Sequence, residues 1–239
     1  TKNFAKYIQV LLAIIVLLAV FLRFFQLGGN PPGINWDETA WGYNAYSLGV
    51  DGRDEFGVFL PLQYIESFGD FKPPLYAYLT ILPVKLFGLT EFSTRFASAF
   101  FGSLTVLLTY FLVRKLFTSS PHRDIYAYTS AFLLAVSPWH IMLSRAAFEA
   151  NIVTFLLVLG VWLFLKGVLE KGYFLMLAAV PFALSFYTFN TARIVTPLLV
   201  LLLGLSFIKP LITKKRKETI VAIIIGLIML APVLPFLFS

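Results

Sequence analysis

Apolar stretches long enough to cross a lipid bilayer, roughly 17 to 25 residues each, recur from one end of this sequence to the other. They leave no soluble segment of ordinary domain size, so the expected fold class is an all-α membrane protein with one embedded domain over residues 1–239. Composition agrees, with 59% of residues hydrophobic and 13% charged, where an average soluble domain carries about 25% charged residues. Spans are expected at Tyr7 to Phe25, Phe96 to Val113, Ile125 to Leu143, Ile152 to Leu165, Tyr173 to Phe189, Ile194 to Ile208 and Thr219 to Phe238.

The first stretch follows Lys2 and Lys6, as a secretory signal would. Its apolar core exceeds the usual 7 to 15 or so residues and no small-x-small cleavage site follows, so it is read as a span. The absence of cysteine excludes disulfides, thiolate metal sites and thiol nucleophiles. A net charge of +7 suggests nucleic acid only if its placement is ignored; in a membrane protein the position of each cation matters more than the sum, and no nucleic-acid partner is expected.

One segment, Pro73 to Gly88, is apolar but short, starts with two prolines and carries Pro83 and Lys85 in its second half. Cytoplasmic loops collect Lys and Arg, and that rule decides its assignment. If the segment lies at the surface, Lys2, Lys6, Arg114, Lys115, Arg123, Lys166, Lys171, Lys209 and the run Lys214 to Lys217 share one face. Asp37, Glu38, Asp51, Asp54, Glu55, Glu66, Asp70, Glu91 and Glu149 share the other. If it spans, the Arg114 and Lys214 clusters both face outward, against the rule. The expectation is therefore seven transmembrane helices, a cytoplasmic N-terminus, an extracytoplasmic active face, and a first external loop over residues 27–90 with juxtamembrane helices, most simply in the plasma membrane of a prokaryote. A loop that long is usually functional. Thr39 to Leu48 reads as a short helix and Gly49 to Gly57 as a turn region.

Chemistry gathers on the acidic face. Asp37 and Glu38 follow the first span, where helix capping and catalysis stand as equal readings. Asp70 and Lys72 lie in FGDFKPPLY, whose prolines fix the backbone after the cation; a snorkelling anchor is the plain reading of Lys72, and the rigid Lys-Pro-Pro flanked by acids and aromatics puts a functional reading slightly ahead of it. In SPWHIMLSRAAFEAN, Pro138 should kink the third span, and Arg145 and Glu149 are neighbours if the helix continues. His140 reads as a packed or interfacial residue, too isolated to indicate a metal. Arg193 opens the sixth span beside Tyr187 and Asn190. Convergence of Asp37, Glu38, Asp70, Lys72, Arg145, Glu149 and Arg193 on one interface favours one site over seven separate accidents. Tyr43, His140, Tyr187, Asn190 and Asp70 complete the substrate-site candidates. There is no Walker loop, G-x-S-x-G, H-E-x-x-H or dinucleotide fingerprint, and no DxD dyad for a nucleotide sugar.

In this order, an acidic pair after the first span, then FKPPLYAYL, TRFASAFFGSLTVLLTYFLVRKLF and SPWHIMLSRAAFEAN, the sequence resembles the GT-C superfamily of polyprenyl-phosphate-sugar transferases, near protein O-mannosyltransferases and the lipid A aminoarabinose transferase. The resemblance implies inverting transfer from a lipid-linked donor to a protein, lipid or glycan acceptor outside the cytoplasm. It makes Asp37 the first-loop catalytic acid, Lys72 a contact of the carrier phosphate and Glu149 a second acid. Arg145 and Arg193 are expected to help hold the phosphate. Ala40 departs from the pattern, because aminoarabinose transferases have an arginine there. The metal position is unassigned, so a divalent cofactor stays open. Such proteins usually continue through further spans and often a soluble C-terminal domain, so this chain is expected to be their conserved N-terminal module. Two other classes compete: a module that binds the lipid carrier without catalysis, and a transporter or flippase, which the scarcity of charge inside the spans disfavours.

Overall fold

The computed structural model describes residues 2–233. Its helices are α1 (Lys2–Phe24), α2 (Trp36–Asp51), α3 (Leu75–Phe87), α4 (Glu91–Leu116), α5 (Arg123–Val136), α6 (Pro138–Arg145), α7 (Glu149–Leu169), α8 (Tyr173–Ser185), α9 (Ala192–Ser206), α10 (Ile208–Thr213) and α11 (Arg216–Leu230). Between α2 and α3 runs an antiparallel hairpin of β1 (Ile65–Ser67) and β2 (Asp70–Lys72), in which Ile65 pairs with Lys72 and Ser67 with Asp70. Phe68 and Gly69, both with positive φ, make its turn, the backbone a two-residue hairpin loop demands. Residues 234–238 of the expected last span lie outside the described residues.

Two helices, α4 and α7, are by themselves long and apolar enough to cross a bilayer, and the apolar helical segments Val10–Phe24, Leu75–Phe87, Tyr173–Ser185 and Ala192–Ser206 are shorter. The pair forms the centre of the bundle: α4 packs against α1, α5 and α7, and α7 in turn packs against α8, which meets α11. Close approach of α4 to the α6–α7 region depends on Gly102, where an added Cβ would come within 2.8 Å of Ser144 Cβ and 2.9 Å of Asn151 Nδ2. Asn151 Nδ2 donates to Ser98 O at 2.7 Å and Ser98 Oγ to Leu143 O at 3.0 Å, so the starts of α4 and α7 lie side by side.

The expected third span is broken. Ser137, in extended conformation, ends α5, and Pro138 starts α6 as a new helix, because proline suits the first helical position but removes a donor from a helix interior. The helix does not continue from Arg145 to Glu149 either: Ala146 is extended and α7 restarts at Glu149. The i,i+4 neighbour relationship expected of those two residues is therefore lost.

Segment α3 has 13 residues, about 20 Å at 1.5 Å per residue. Near its first turn, Tyr76 Oη donates to Thr94 O at 2.9 Å, and just past its last turn Ser93 Oγ donates to Gly88 O at 2.7 Å. Both ends are thus held at the same level of α4, and α3 lies across the beginning of α4 instead of running along its length.

Candidate functional site

Asn35 starts the construction. Its side chain accepts the Glu38 N–H at 2.8 Å while Glu38 Oε2 accepts the Asn35 N–H at 3.2 Å, a reciprocal cap that sets the first turn of α2. Consecutive residues in that turn point about 100° apart, which separates Asp37 from Glu38. Glu38 turns inward and is buried; Asp37 stays partly exposed.

Glu38 meets Arg95, in the second turn of α4, in a two-pronged pair: Nε to Oε1 at 2.7 Å and Nη2 to Oε2 at 3.0 Å. Arg95 is wholly buried. Its remaining N–H groups go to Leu27 O at 3.2 Å, Pro31 O at 2.9 Å and Gly33 O, so all five donors of the guanidinium are used. Glu38 Oε1 also accepts the Ala147 N–H at 3.1 Å. Burial alone would raise the Glu38 carboxyl, but the Arg95 guanidinium and the two backbone N–H groups outweigh it and hold the group below the usual carboxylate range. Glu38, expected among the catalytic acids, is thereby committed to joining α2, α4 and the α6–α7 break.

Asp37 accepts instead from Lys72, a residue buried at 6% exposure whose ammonium is bonded to Oδ1. The ammonium also lies 5.6 Å from the centre of the Trp41 ring. Lys72 is the last residue of β2, and the two prolines after it are buried. The Leu75 N–H then donates to Tyr187 O at 2.8 Å, so the lysine's backbone is pinned on both sides. Glu149, half-buried at the start of α7, lies within electrostatic reach of both Asp37 and Lys72. The indole N–H of Trp41 neighbours the Glu149 carboxyl without closing a hydrogen bond.

Of the residues expected from sequence, the structure brings Asp37, Lys72 and Glu149 together, with Glu38 behind them. Arg145 is used elsewhere: it donates to Leu22 O at 2.9 Å, Phe25 O at 2.7 Å and Asn30 O at 2.8 Å, closing the end of α1, where carbonyls lack intrahelical partners. His140 is buried against Arg23, with Nη2 2.7 Å from Nδ1. Asp70 is exposed at the hairpin tip and Tyr43 is exposed on α2. Tyr187 Oη bonds to Met229 O, tying the turn after α8 to α11. Asn190 is exposed and accepts the Arg193 N–H at 3.1 Å as α9 begins. Among the described residues no group of three or more His, Cys, Asp and Glu has the arrangement of a metal site.

Sequence reasoning passed over Arg95, Trp41 and Arg23. For Arg95 a signal existed: a guanidinium at the edge of a long apolar helix needs an anion or several carbonyls; the order of the acids in the chain did not single out Glu38 as that anion.

The architecture is a helical bundle in which Asp37, Lys72, Glu38 and Arg95 meet beside a cross-lying helix. The fold is similar to that of ArnT from Cupriavidus metallidurans, solved bound to undecaprenyl phosphate, which superposes over 100% of this chain and 41% of its own with a TM-score of 0.62 at 13% identity; with the family match that follows, it places the chain in the GT-C superfamily. Residues 71–236 match the profile of the dolichyl-phosphate-mannose-protein mannosyltransferase family, to which the chain belongs. The match includes Lys72, Arg95 and Glu149, and starts after Asp37 and Glu38. An uncharacterized protein of Aquifex aeolicus (strain VF5) is 29% identical over 195 residues, 80% of this chain. The chain spans 36% of that relative's length.

Proposed function

We propose that this chain carries the donor site of a membrane glycosyltransferase, in which Asp37 activates an acceptor hydroxyl and Lys72 holds the phosphate of a polyprenyl-phosphate sugar. The observation that carries this reading is the Asp37–Lys72 pair, a partly exposed carboxylate bonded to a buried ammonium whose backbone is pinned. An incoming phosphate takes Lys72 as its counter-ion and frees the Asp37 carboxylate. The hydroxyl oxygen then attacks the anomeric carbon, its proton goes to Asp37, and the bond from that carbon to the phosphate oxygen breaks with its electron pair on the phosphate. The Lys72 ammonium stabilises that developing charge. Glu149, beside both groups, orients the acceptor.

Two further features support a lipid-borne donor. The ArnT structure to which the fold is similar holds undecaprenyl phosphate. An apolar cavity of about 400 Å³ between α7, α8, α9 and α11 includes Phe186 and Leu230 at one end; Phe186 adjoins Tyr187, whose carbonyl receives Leu75, three residues from Lys72. That volume is in the usual range for small-molecule sites, and it accommodates part of an isoprenoid tail. The cross-lying α3 supports the seven-span reading, with Pro73 to Gly88 at the interface and the Asp37 site on the extracytoplasmic side.

A second reading, donor binding without transfer, is favoured by the ion pair itself, since Lys72 holds the Asp37 carboxylate in a salt bridge that has to open before it can act as a base. Purified protein given radiolabelled polyprenyl-phosphate sugar and a hydroxyl acceptor separates the two. Transfer predicts both retention of donor and release of carrier phosphate, and a binding module gives retention alone. Absence of retention rules out both.

A further inference from the structure

The chain has a second charged cleft, at the opposite end of α4 and α7 from Asp37. Both helices start at the Asp37 end, so Arg114 lies about 28 Å along α4 from Arg95 at 1.5 Å per residue. There the two helices, with the start of α5, enclose about 420 Å³ lined by Phe111, Arg114, Lys115, Arg123, Trp162 and Lys166, with Glu170 at the edge.

Four cations meet two carboxylates in this cleft. Arg114 and Arg123 share Asp124, at 2.6 and 4.0 Å. Lys115 pairs with Glu170 at 2.5 Å. Lys166 makes no ion pair among the described residues, and its ammonium lies over the rings of Trp162 and Phe174, 4.8 and 4.0 Å from their centres. An excess of two positive charges remains, and a phosphodiester is the simplest group that neutralises part of it.

The walls also differ with depth. On α4 Phe111 stands about one turn before Arg114 and Lys115, and on α7 Trp162 stands about one turn before Lys166. Their ring centres are 6.0 Å apart. The cleft is therefore cationic at its mouth and aromatic toward the middle of the two membrane-length helices. A soluble anion uses only the mouth. A phospholipid uses both levels, its phosphate among the cations and its glycerol and upper acyl chains against the rings.

We propose that this cleft binds the headgroup of an anionic membrane phospholipid, on the face opposite the Asp37 site and independently of glycosyl transfer. The test uses the full chain in micelles, titrated with short-chain phosphatidylglycerol and phosphatidylcholine, with retention read by native mass spectrometry. Wild type should bind phosphatidylglycerol on the order of 25-fold more tightly, at about fivefold for each of two excess charges. The Arg123→Gln, Lys166→Gln double variant should bind the two lipids alike. The charge-preserving Arg123→Lys, Lys166→Arg pair and Asp37→Asn should keep the preference. Equal binding by wild type, or an unchanged preference in the neutralised variant, overturns the proposal. Displacement of phosphatidylglycerol by inorganic phosphate at matched ionic strength also overturns it, because the cleft would then serve a soluble anion. Should the neutralised variant fail to fold, a photoactivatable phosphatidylglycerol on wild type decides. Crosslinks at residues 111–118 or 162–170 support the site, and crosslinks confined elsewhere reject it.

Discussion

Asp37 and Glu38 are consecutive, yet their carboxylates serve different partners: Glu38 is buried against Arg95, and Asp37 meets Lys72 at the edge of the solvent-accessible site. The two acids therefore separate into one that holds the structure and one free to exchange partners. Substitution distinguishes them. Glu38→Gln leaves Arg95 as an uncompensated buried charge and should destabilise the fold by about 3 to 5 kcal/mol, read as a lowered midpoint of thermal unfolding in detergent. Asp37→Asn takes the counter-ion from the buried Lys72 ammonium, but the Asp37 side of the pair is open to water and the amide oxygen can still accept from the lysine, so the cost should be smaller, about 1 to 3 kcal/mol.

In turnover the order reverses. Asp37→Asn should lower the rate of sugar transfer by roughly 10²- to 10⁴-fold, the usual contribution of a general base, while donor retention stays near wild type. Full turnover in this variant would remove Asp37 from the mechanism.

Lys72→Gln tests the other partner. Loss of one charge-assisted hydrogen bond to phosphate should weaken donor retention by roughly 10- to 100-fold, measured by equilibrium binding of labelled carrier. Lys72→Arg should recover part of the loss, since it restores charge with a different shape.

Arg145 was a phosphate ligand by sequence and closes the end of α1 by structure. Arg145→Gln should lower the unfolding midpoint while leaving the donor dissociation constant within about threefold, less than the loss of a charge-assisted bond would cause. A large loss of donor affinity at unchanged stability would return Arg145 to the phosphate site.

The lowered Glu38 carboxyl carries a pH signature. Its folded-state value lies below the ordinary 4.5, so the stability it contributes is complete above the unfolded value and is lost as pH falls through the folded one. Thermal midpoints of wild type should therefore decline in acid below about pH 4.5, and Glu38→Gln should show a shallower decline over the same window.

Much of the bundle was legible because apolar length and helix boundaries coincide: α4 and α7 bracket the spans read at Phe96 to Val113 and Ile152 to Leu165. The break at Ser137 was signalled by Pro138. The break at Ala146 was not, because Arg-Ala-Ala-Phe favours helix locally; the Ala147 N–H is instead given to Glu38, 109 positions earlier in the chain. The hairpin at 65–72 was missed for a similar reason, since three-residue strands leave too little alternation to read. At the site, charge and order in the chain pointed to Asp37, Lys72 and Glu149. Side-chain direction sent Glu38 and Arg145 to partners that lie far away in sequence.

One oxygen, Oε1 of Glu38, receives both Arg95 of α4 and the N–H of Ala147, two residues before Glu149. Asp37, next to Glu38 in sequence, and Glu149 are thus located from a common reference point. Bilayers of different thickness tilt long helices such as α4 and α7, and with this shared anchor such tilting carries both acids together. The spacing between them then tolerates changes in lipid composition that would disperse a site assembled from independently moving helices.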